Sequence, residues 1–527
     1  MMIMNTPILL LTSLLLFGAC DRPKDQTGKE EQSKVLELTL QPDNEKQVIH
    51  NFGASDAWSC QFVGKSWPLE KRERIADLLF STEMDKNGNP KGIGLSAWRF
   101  NIGGGSAGQG AESKIEDKWR RAECFMNPDG TYYWNKQAGQ RWFLRAAKKR
   151  GVEQFIGFVN SPPVHFTKNG MTWSSDGNSA NLAEEHYADY AEFLAEVVKN
   201  VEENEGVHLD YISPFNEPQW DWDDSGQEGS PWKNSEIHNV CQAIDKAFQS
   251  NNINSRLEIP ETAQNKYLYT YNDKPERGKQ IREFFNPSSE NYLGDLNSMA
   301  QKVAGHSYFS TWDLQTLIET RKKTKQEINR VNPELEYWMS EYCILEDNEE
   351  IQGNGRNLGM KPALYMARVI HADLTVATAS SWQWWLGVSP YDYKDGLVYI
   401  DKDTHNGEVY ESKMLWALGH YSRFIRPGMQ RIGVKRSDNK NIAETVDGTM
   451  VSAYKPNDGE RYVVVIVNQK EETVSVEINE GNMNDAETIR MYQTTSKDEM
   501  DMAYVGEKSP GGVIGIPARG LVTLVID

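Results

Sequence analysis

Eight short apolar runs, each of strand length, alternate with helical stretches between residues 48 and 385. They are residues 48–55, 94–102, 154–160, 209–217, 256–262, 302–309, 336–341 and 379–385. Eight parallel strands are the number that closes a β/α barrel. The pattern predicts the α/β class and a (β/α)8 TIM barrel over residues 48–426, with a doubly wound open sheet as the alternative. The runs end in polar or aromatic residues, which favours the barrel because its functional face lies at the carboxyl ends of the strands.

The chain changes character after about Gly428. All 16 tryptophans lie between Trp58 and Trp416, and the rest of the chain consists of short alternating segments separated by Gly, Asn and Asp clusters. Alternation with a period of two residues and frequent turn signals predicts an antiparallel β-sandwich. The segment 34–42 alternates in the same way, so we expect it to pair with that sheet. The predicted β-sandwich side domain comprises residues 35–47 and 427–527.

The N-terminus has the pattern of an export signal. Residues 1–19 carry no charge, and their apolar run 8–17 is too short to span a bilayer. Small residues precede Cys20, which predicts a lipoprotein signal peptide over 1–19 with Cys20 as the lipidated residue. An ordinary secretory signal is the alternative. The polar stretch 20–34 is predicted to be a disordered tether, and the protein to be anchored at the bacterial outer membrane or cell surface, or else periplasmic or secreted.

Charge and metal-ligand spacing limit the partners. The formal net charge of −19 argues against nucleic acid and anionic membrane surfaces. We therefore expect contact with a membrane only through the lipid at Cys20. The nine histidines are scattered without metal-binding spacing, so no metal or other cofactor is predicted. The remaining cysteines, Cys60, Cys124, Cys241 and Cys343, have irregular spacing, and a disulfide among them is permitted outside the cytoplasm but not assigned.

Two glutamates each close an apolar run, Glu217 in YISPFNEP and Glu341 in EYWMSEY. A carboxylate at the end of a buried strand is costly unless the strand opens into a solvated cleft. The fourth and seventh strands lie across the barrel mouth from each other, so we expect the two carboxyl groups to meet at roughly 5 Å. Two facing carboxylates are the smallest set of catalytic groups that this kind of glycosidic bond cleavage requires.

The surroundings of the two glutamates suggest different roles. Trp220 and Trp222 follow Glu217, and aromatic neighbours with partial desolvation raise the pKa of a carboxyl group, which suits a general acid. Glu341 is expected to stay ionised as the nucleophile, with Arg99 at the end of the second strand as its cation. For either glutamate alone, the alternative is a salt-bridged residue at the barrel rim.

Other polar and aromatic residues at strand ends are candidates for contact with sugar. Asn216 could hydrogen-bond a 2-hydroxyl, an interaction that strengthens in the transition state. Flat apolar rings match the C–H faces of pyranose sugars, so some of the tryptophans are expected to line the cleft. A packing role is the alternative for each candidate. The predicted substrate-binding residues are Asp56, Arg99, Asn101, Asn160, Asn216, His306, Tyr308 and Trp382.

Six motifs span almost the whole mature chain. They are NFGASDAW at Asp56, AWRFNIGGGS at Arg99, VNSPP at Asn160, SPFNEPQW at Glu217, YWMSEY at Glu341 and ALGHYSRFIRPG at 417–428. In this order they resemble glycoside hydrolase family 30. The resemblance implies a β/α barrel fused to a side β-sandwich built from both chain ends. It also implies retaining hydrolysis of β-linked oligo- or polysaccharides, with the acid/base at Glu217 and the nucleophile at Glu341.

Within that family the chain is most similar to the endo-β-1,6-galactanase branch, and the resemblance implies that activity. The stretch SPPVHFTKNG after the third strand differs from the SPPAWMK form usual in glucosylceramidase and glucanase relatives. The alternatives within the family are a β-1,6-glucanase, a xylanase or a glucosylceramidase-like enzyme. A non-catalytic glycan-binding lipoprotein that keeps the barrel and a transglycosylase that uses the same covalent intermediate are two further alternatives. A surface lipoprotein with this barrel resembles part of a Bacteroidetes-type glycan-degrading system.

Overall fold

The computed structural model describes residues 35–457, 461–479 and 488–527. The predicted signal peptide, its lipidation site Cys20 and the predicted tether lie outside these residues. Within the described ranges, no helix is both long enough and apolar enough to cross a membrane. The cysteines of the same ranges are buried free thiols, namely Cys60, Cys124, Cys241 and Cys343.

The chain enters the fold through strand β1 (Leu36–Val48) and then builds a parallel barrel. The barrel segments in the described residues are β2 (Asn51–Ser55), β3 (Ala97–Asn101), β4 (Gln154–Phe158), β5 (Tyr211–Ser213), β6 (Arg256–Leu257), β7 (Pro260–Thr262), β8 (Lys302–His306), β9 (Glu336–Tyr342) and β10 (Ser381–Ser389). Two further strands, β11 (Gly396–Ile400) and β12 (Val409–Glu411), extend the sheet beside β10. The (β/α)8 prediction is confirmed. The runs are continuously apolar because parallel strands in a barrel are buried on both faces.

Hydrogen-bonded pairs follow one another around the barrel, and β10 returns to pair with β2. The fifth strand is split, so that β6 pairs with β5 while β7 pairs with β8. Pro260 begins β7, and Glu261 within β7 has a left-handed φ of 58°, which interrupts the regular extended backbone where the register of β7 with β8 shifts. The split turns the backbone at the point where the fifth strand approaches the barrel mouth.

The helices form the outer layer of the barrel or lie in its loops. In the described residues they are α1 (Cys60–Ser66), α2 (Leu69–Phe80), α3 (Ser106–Gln109), α4 (Ala138–Lys149), α5 (Tyr187–Glu205), α6 (Asn234–Ser250), α7 (Lys266–Tyr269), α8 (Gln280–Phe285), α9 (Leu314–Val331), α10 (Met360–Ala372) and α11 (Lys413–Ser422). Helix α5 shows why they pack as they do, because Tyr190, Leu194 and Val201 recur at helical spacing and are buried. Gly206 ends that helix in the left-handed conformation that glycine favours.

The C-terminal part of the chain forms a second sheet together with β1. Its other strands are β13 (Gln430–Arg436), β14 (Thr449–Lys455), β15 (Tyr462–Asn468), β16 (Val474–Asn479), β17 (Ile489–Thr494), β18 (Ala503–Lys508), β19 (Ile514–Ile516) and β20 (Gly520–Ile526). β1 pairs antiparallel with β13 and parallel with β16, so the predicted pairing of the segment 34–42 with this sheet is confirmed. Apolar side chains from β1, β13, β15, β16 and β20 share one core. This is the predicted side β-sandwich, antiparallel except for the pair of β1 with β16.

Helices α10 and α11 join the barrel to the β-sandwich. Both are buried along their lengths, and α11 packs on β17 and β20. On α11, His420 hydrogen-bonds Thr523 through Nδ1 and Thr494 through Nε2, each at 2.8 Å. Burial lowers the pKa of His420 to about 3, so the ring makes this bridge in its neutral form.

Candidate active site

A cavity of about 790 Å³ opens at the mouth of the barrel. Its size is within the range of roughly 300–1,000 Å³ that small-molecule sites occupy. Its polar lining is Arg120, Asn216, Glu217, Asp221, Asp223, Asp224, Gln227, Glu341, Asp392 and Asp395. Its aromatic lining is Trp220, Trp222, Tyr308, Phe309, Trp385, Tyr391 and Tyr393. The cavity therefore combines many carboxylates with many aromatic rings.

Glu341 is the penultimate residue of strand β9 and lines this cavity, where two hydrogen-bond donors hold its carboxylate. Arg99 Nη1 donates to Glu341 Oε2 at 2.8 Å, and the Tyr308 hydroxyl donates to Glu341 Oε1 at 2.9 Å. The Arg99 guanidinium is fully buried and lies over the ring of Phe158, 4.4 Å from its centroid. The ion pair between Arg99 and Glu341 that the sequence predicts is present. The ion pair holds the Glu341 carboxylate in a fixed position at the cavity.

Glu217 lies beyond the strand that the sequence assigns to it. Strand β5 ends at Ser213, and Glu217 sits in the following loop with a φ of 47°, so the prediction that it ends the strand is wrong. A left-handed φ is costly for a non-glycine residue and departs from regular extended backbone. The backbone N–H of Glu217 donates to the carbonyl of Glu261 at 2.9 Å, which fixes the loop against the split fifth strand. One carboxylate oxygen of Glu217 lies within 4.8 Å of one of Glu341.

His306, the last residue of β8, lies between the carboxylates. Its Nδ1 is 2.9 Å from Glu217 Oε1 and 3.6 Å from Glu341 Oε1, and its Nε2 is 2.8 Å from Glu261 Oε2. Burial alone would lower the pKa of His306, but the three carboxylates raise it to about 10. Both ring nitrogens therefore carry protons and donate.

The balance of buried charge explains which glutamate holds a proton. Burial raises the pKa of Glu217 to about 6, against the opposing hydrogen bond and charge of His306, and Glu341 adds to the rise. With Glu217 protonated, the cations Arg99 and His306 balance the anions Glu341 and Glu261. A third buried carboxylate would have no compensating cation in this group, so the proton on Glu217 is favoured below about pH 6.

Glu261 is the residue of this cluster that the sequence reasoning missed. Burial would raise its pKa, but the His306 hydrogen bond and the Arg99 charge lower it to about 2. The Ser340 hydroxyl also donates to Glu261 Oε2, at 2.7 Å. A signal was available, because Glu261 stands at the end of the fifth strand run just as Glu217 and Glu341 stand at the ends of theirs.

Glu217, His306 and Glu341 also have the composition of a metal site, with one possible ligand atom from each within 4.8 Å of the others. A histidine binds a metal through a ring nitrogen that carries no proton. His306 instead uses both nitrogens to hold carboxylates, and its raised pKa keeps both protons in place. The donor set therefore fits a network for proton transfer better than it fits a metal ion.

The other sequence candidates divide into two groups. Asn216 and Tyr308 line the cavity with the two glutamates, and Arg99 and His306 stand directly behind them. The remaining candidates are at most 2% exposed and do not belong to the cavity lining. They are Asp56, Asn101, Asn160 and Trp382.

Trp382 does not line the cavity, although the sequence predicts that it binds substrate. Its indole Nε1 donates to Asp373, just after helix α10, at 3.0 Å, and its ring stacks on Trp384. Trp382 therefore faces the helix layer, and Trp385 is the tryptophan of strand β10 that lines the cavity. Asp56 also has a structural partner, since its Oδ1 accepts from the backbone N–H of Asn101 at 2.8 Å, and burial raises its pKa to about 8.

A β/α barrel with two carboxylates facing each other at its mouth is the architecture of a glycoside hydrolase. The family model of O-Glycosyl hydrolase family 30 matches residues 35–399, well over half of the 527 residues. The chain belongs to glycosyl hydrolase family 30. The predicted family is thereby confirmed.

Three comparisons show how the chain relates to known proteins. A crystal structure of a conserved exported protein from Bacteroides fragilis is 36% identical, with a TM-score of 0.87 over 93% of this chain and 100% of that chain. Endo-beta-1,6-galactanase of Hypocrea rufa is 22% identical over 409 residues, 75% of this chain and 75% of that protein. Glucuronoxylanase XynC of Bacillus subtilis (strain 168) is 25% identical over 342 residues, 62% of this chain and 63% of that protein.

Proposed function

We propose that the protein is a retaining glycoside hydrolase with Glu341 as nucleophile and Glu217 as general acid/base. The observation that supports this most directly is the approach of the two carboxyl groups to within 4.8 Å. Retaining enzymes hold the pair about 5–5.5 Å apart, whereas inverting enzymes need about 6.5–9.5 Å to admit a water molecule between carboxylate and sugar.

The reaction follows from the surroundings of the two groups. Glu341 attacks the anomeric carbon, the glycosidic C–O bond breaks, and Glu217 gives its proton to the departing oxygen. Glu217 then removes a proton from water, whose oxygen displaces Glu341 from the sugar and restores both carboxyl groups. Arg99 and Tyr308 orient Glu341 through separate oxygens, and His306 holds Glu217 toward the same space.

For the substrate we propose a neutral β-1,6-linked galactan, cleaved internally. The relative named endo-beta-1,6-galactanase supports this choice, since it aligns over 75% of both chains. The charge of the cavity gives a second argument. Among the described residues that line it, Arg120 is the single basic side chain, against four aspartates, Asp223, Asp224, Asp392 and Asp395, besides Asp221, which is paired with Lys274 and Arg277. Such a lining repels a uronic acid, which counts against glucuronoxylan as the substrate.

Three polysaccharides separate the candidate activities of the purified protein. We expect β-1,6-galactan or arabinogalactan to yield short oligosaccharides, and β-1,6-glucan and glucuronoxylan to be cleaved at least about tenfold more slowly. Proton NMR of the first product should show a β-anomer, because two displacements restore the configuration. An α-anomer as first product would contradict the mechanism, and preferred cleavage of glucuronoxylan would contradict the substrate. Binding to the polysaccharides without any cleavage would favour a glycan-binding protein instead.

We also propose that the protein is exported and held at a membrane through a lipid on Cys20. The N-terminal sequence supports this, and the related structure from Bacteroides fragilis is described as an exported protein. Mass spectrometry of detergent-extracted protein should find an acylated Cys20 as the first residue. A Cys20→Ser variant should appear in the aqueous fraction, and its continued recovery with membranes would contradict the anchor.

A further inference from the structure

Two large aromatic rings stand exposed at the rim of the cavity, beside the proposed acid. Trp220 is 37% exposed and Phe309 is 50% exposed, and their rings meet edge to face with centroids 6.1 Å apart. Both residues line the cavity that holds Glu217 and Glu341. Exposing an aromatic ring forgoes the stabilisation of burying it, so a paired exposed surface beside a binding cavity indicates contact with a ligand.

The backbone holds these rings in place at some cost. Phe309 has a φ of 50°, and Trp222, which adjoins Trp220 in the same loop, also has a φ of 50°. The left-handed region is unfavourable for aromatic residues, and such conformations persist only where the surrounding contacts impose them. Here the indole Nε1–H of Trp222 donates to the backbone carbonyl of Glu217 at 3.2 Å, and the backbone N–H of Trp220 donates to the same carbonyl at 3.1 Å. The exposed Trp220 is therefore tied directly to the proposed acid.

The position of the pair indicates which part of a glycan it would meet. Trp220 lies in the loop after the fourth strand, which also carries Glu217, and Phe309 follows the sixth strand and meets Trp220 edge to face. The pair therefore lies beside Glu217. Because the acid protonates the departing oxygen, sugars of the leaving group extend toward this side. Three further aromatic residues of the cavity, Trp385, Tyr391 and Tyr393, follow or belong to the eighth strand. Rings on both sides of the carboxyl pair suit a chain that continues in both directions.

We propose that Trp220 and Phe309 form an aromatic subsite for the leaving-group portion of a neutral polysaccharide. The inference rests on the proposed hydrolase function and goes beyond it by assigning residues to the direction of the chain. Flat aromatic rings match the C–H faces of sugar rings. Because neither side chain carries a charge, the pair does not favour a sugar with a charged substituent.

The experiment compares Trp220→Ala and Phe309→Ala with Tyr133→Ala as the matched control, since Tyr133 is 51% exposed and does not line the cavity. Two substrates are used, namely the polysaccharide that the wild type cleaves best and the aryl β-glycoside of its sugar, which has no sugar in the leaving group. Each subsite variant should lose about tenfold or more in kcat/KM on the polysaccharide, mainly through KM, which corresponds to about 1.4 kcal/mol. Activity on the aryl glycoside should stay within about twofold of the wild type.

Gel retardation by the same polysaccharides gives a measure of binding that does not require turnover. Suppose that the wild type is active and that the subsite variants lose activity on the polysaccharide and on the aryl glycoside equally, or lose neither. This result would overturn the subsite and leave the hydrolase function standing. A wild type that cleaves nothing but is retarded through Trp220 would overturn the function while supporting the subsite. Similar losses in Tyr133→Ala would also count against the subsite, because that ring lies outside the cavity.

Discussion

Replacing Glu341 by glutamine should abolish turnover and leave the protein folded. We expect kcat to fall by a factor on the order of 10⁴ or more, because an amide cannot form the covalent bond to the anomeric carbon. The fold should survive, since the glutamine oxygen can accept from Arg99 while its NH₂ group donates to the Tyr308 hydroxyl. Arg99 also keeps a second carboxylate, Glu261, at 3.6 Å. Initial rates on the polysaccharide, together with a thermal unfolding curve, provide the measurement.

Glu346→Gln is the matched control for this change. Glu346 is also a buried glutamate, bonded to the hydroxyls of Thr311 and Tyr342, but it does not line the cavity. Burial raises the pKa of Glu346, so its surroundings disfavour the charge that the substitution removes. The control variant should keep most of the wild-type rate. If Glu341→Gln retained a tenth of the wild-type rate or more, Glu341 could not be the nucleophile.

Replacing Glu217 by glutamine should make the rate depend on the leaving group and remove one limb of the pH profile. The pKa of Glu217 is raised to about 6, mainly by burial, so the wild type should be most active below pH 6. Above that pH the proton is lost, and kcat/KM should decline about tenfold for each pH unit. Glutamine does not titrate, so this decline should be absent from the variant.

The leaving group provides the second part of this test. A sugar alkoxide needs the proton of Glu217, so cleavage of the polysaccharide should slow by about 10²–10⁴. A dinitrophenolate leaves without protonation, so glycosylation from that substrate should be nearly unaffected. The slow second step should then produce an initial burst of phenolate. Equal losses on both substrates, or a decline above pH 6 that persists in the variant, would show that another group donates the proton.

The barrel could be predicted because each of its strands can be recognised from a short stretch of sequence. Buried parallel strands are continuous apolar runs, and their order alone places the fourth and seventh strands across the mouth. Glu341, Arg99 and Tyr308 lie on regular strands or within two residues of one, so their approach follows from the strand order. The backbone turn at Glu217 could not be predicted in the same way, because its left-handed φ depends on contacts with the fifth strand.

Trp382 and Glu261 show two further limits. In a strand, neighbouring residues face opposite sides, so an error of one residue reverses the face. The run SWQWW offers three tryptophans, and its pairing with β2 contains a register shift between Trp384 and Leu386. Sequence alone therefore cannot tell that Trp382 faces the helices. Glu261 was missed for another reason, since its strand is split and its partner His306 lies 45 residues further along the chain.

Strand β20 is the last strand of the described residues, yet it lies inside its sheet, between β15 and β17. It carries Thr523, the hydroxyl that anchors His420 of α11. Because β20 comes after the other strands of this sheet in chain order, the sheet closes and covers the apolar surfaces of α10 and α11 only once β20 is in place. Until then the barrel exposes apolar surface, and such surface makes a partly folded chain prone to aggregate with other chains.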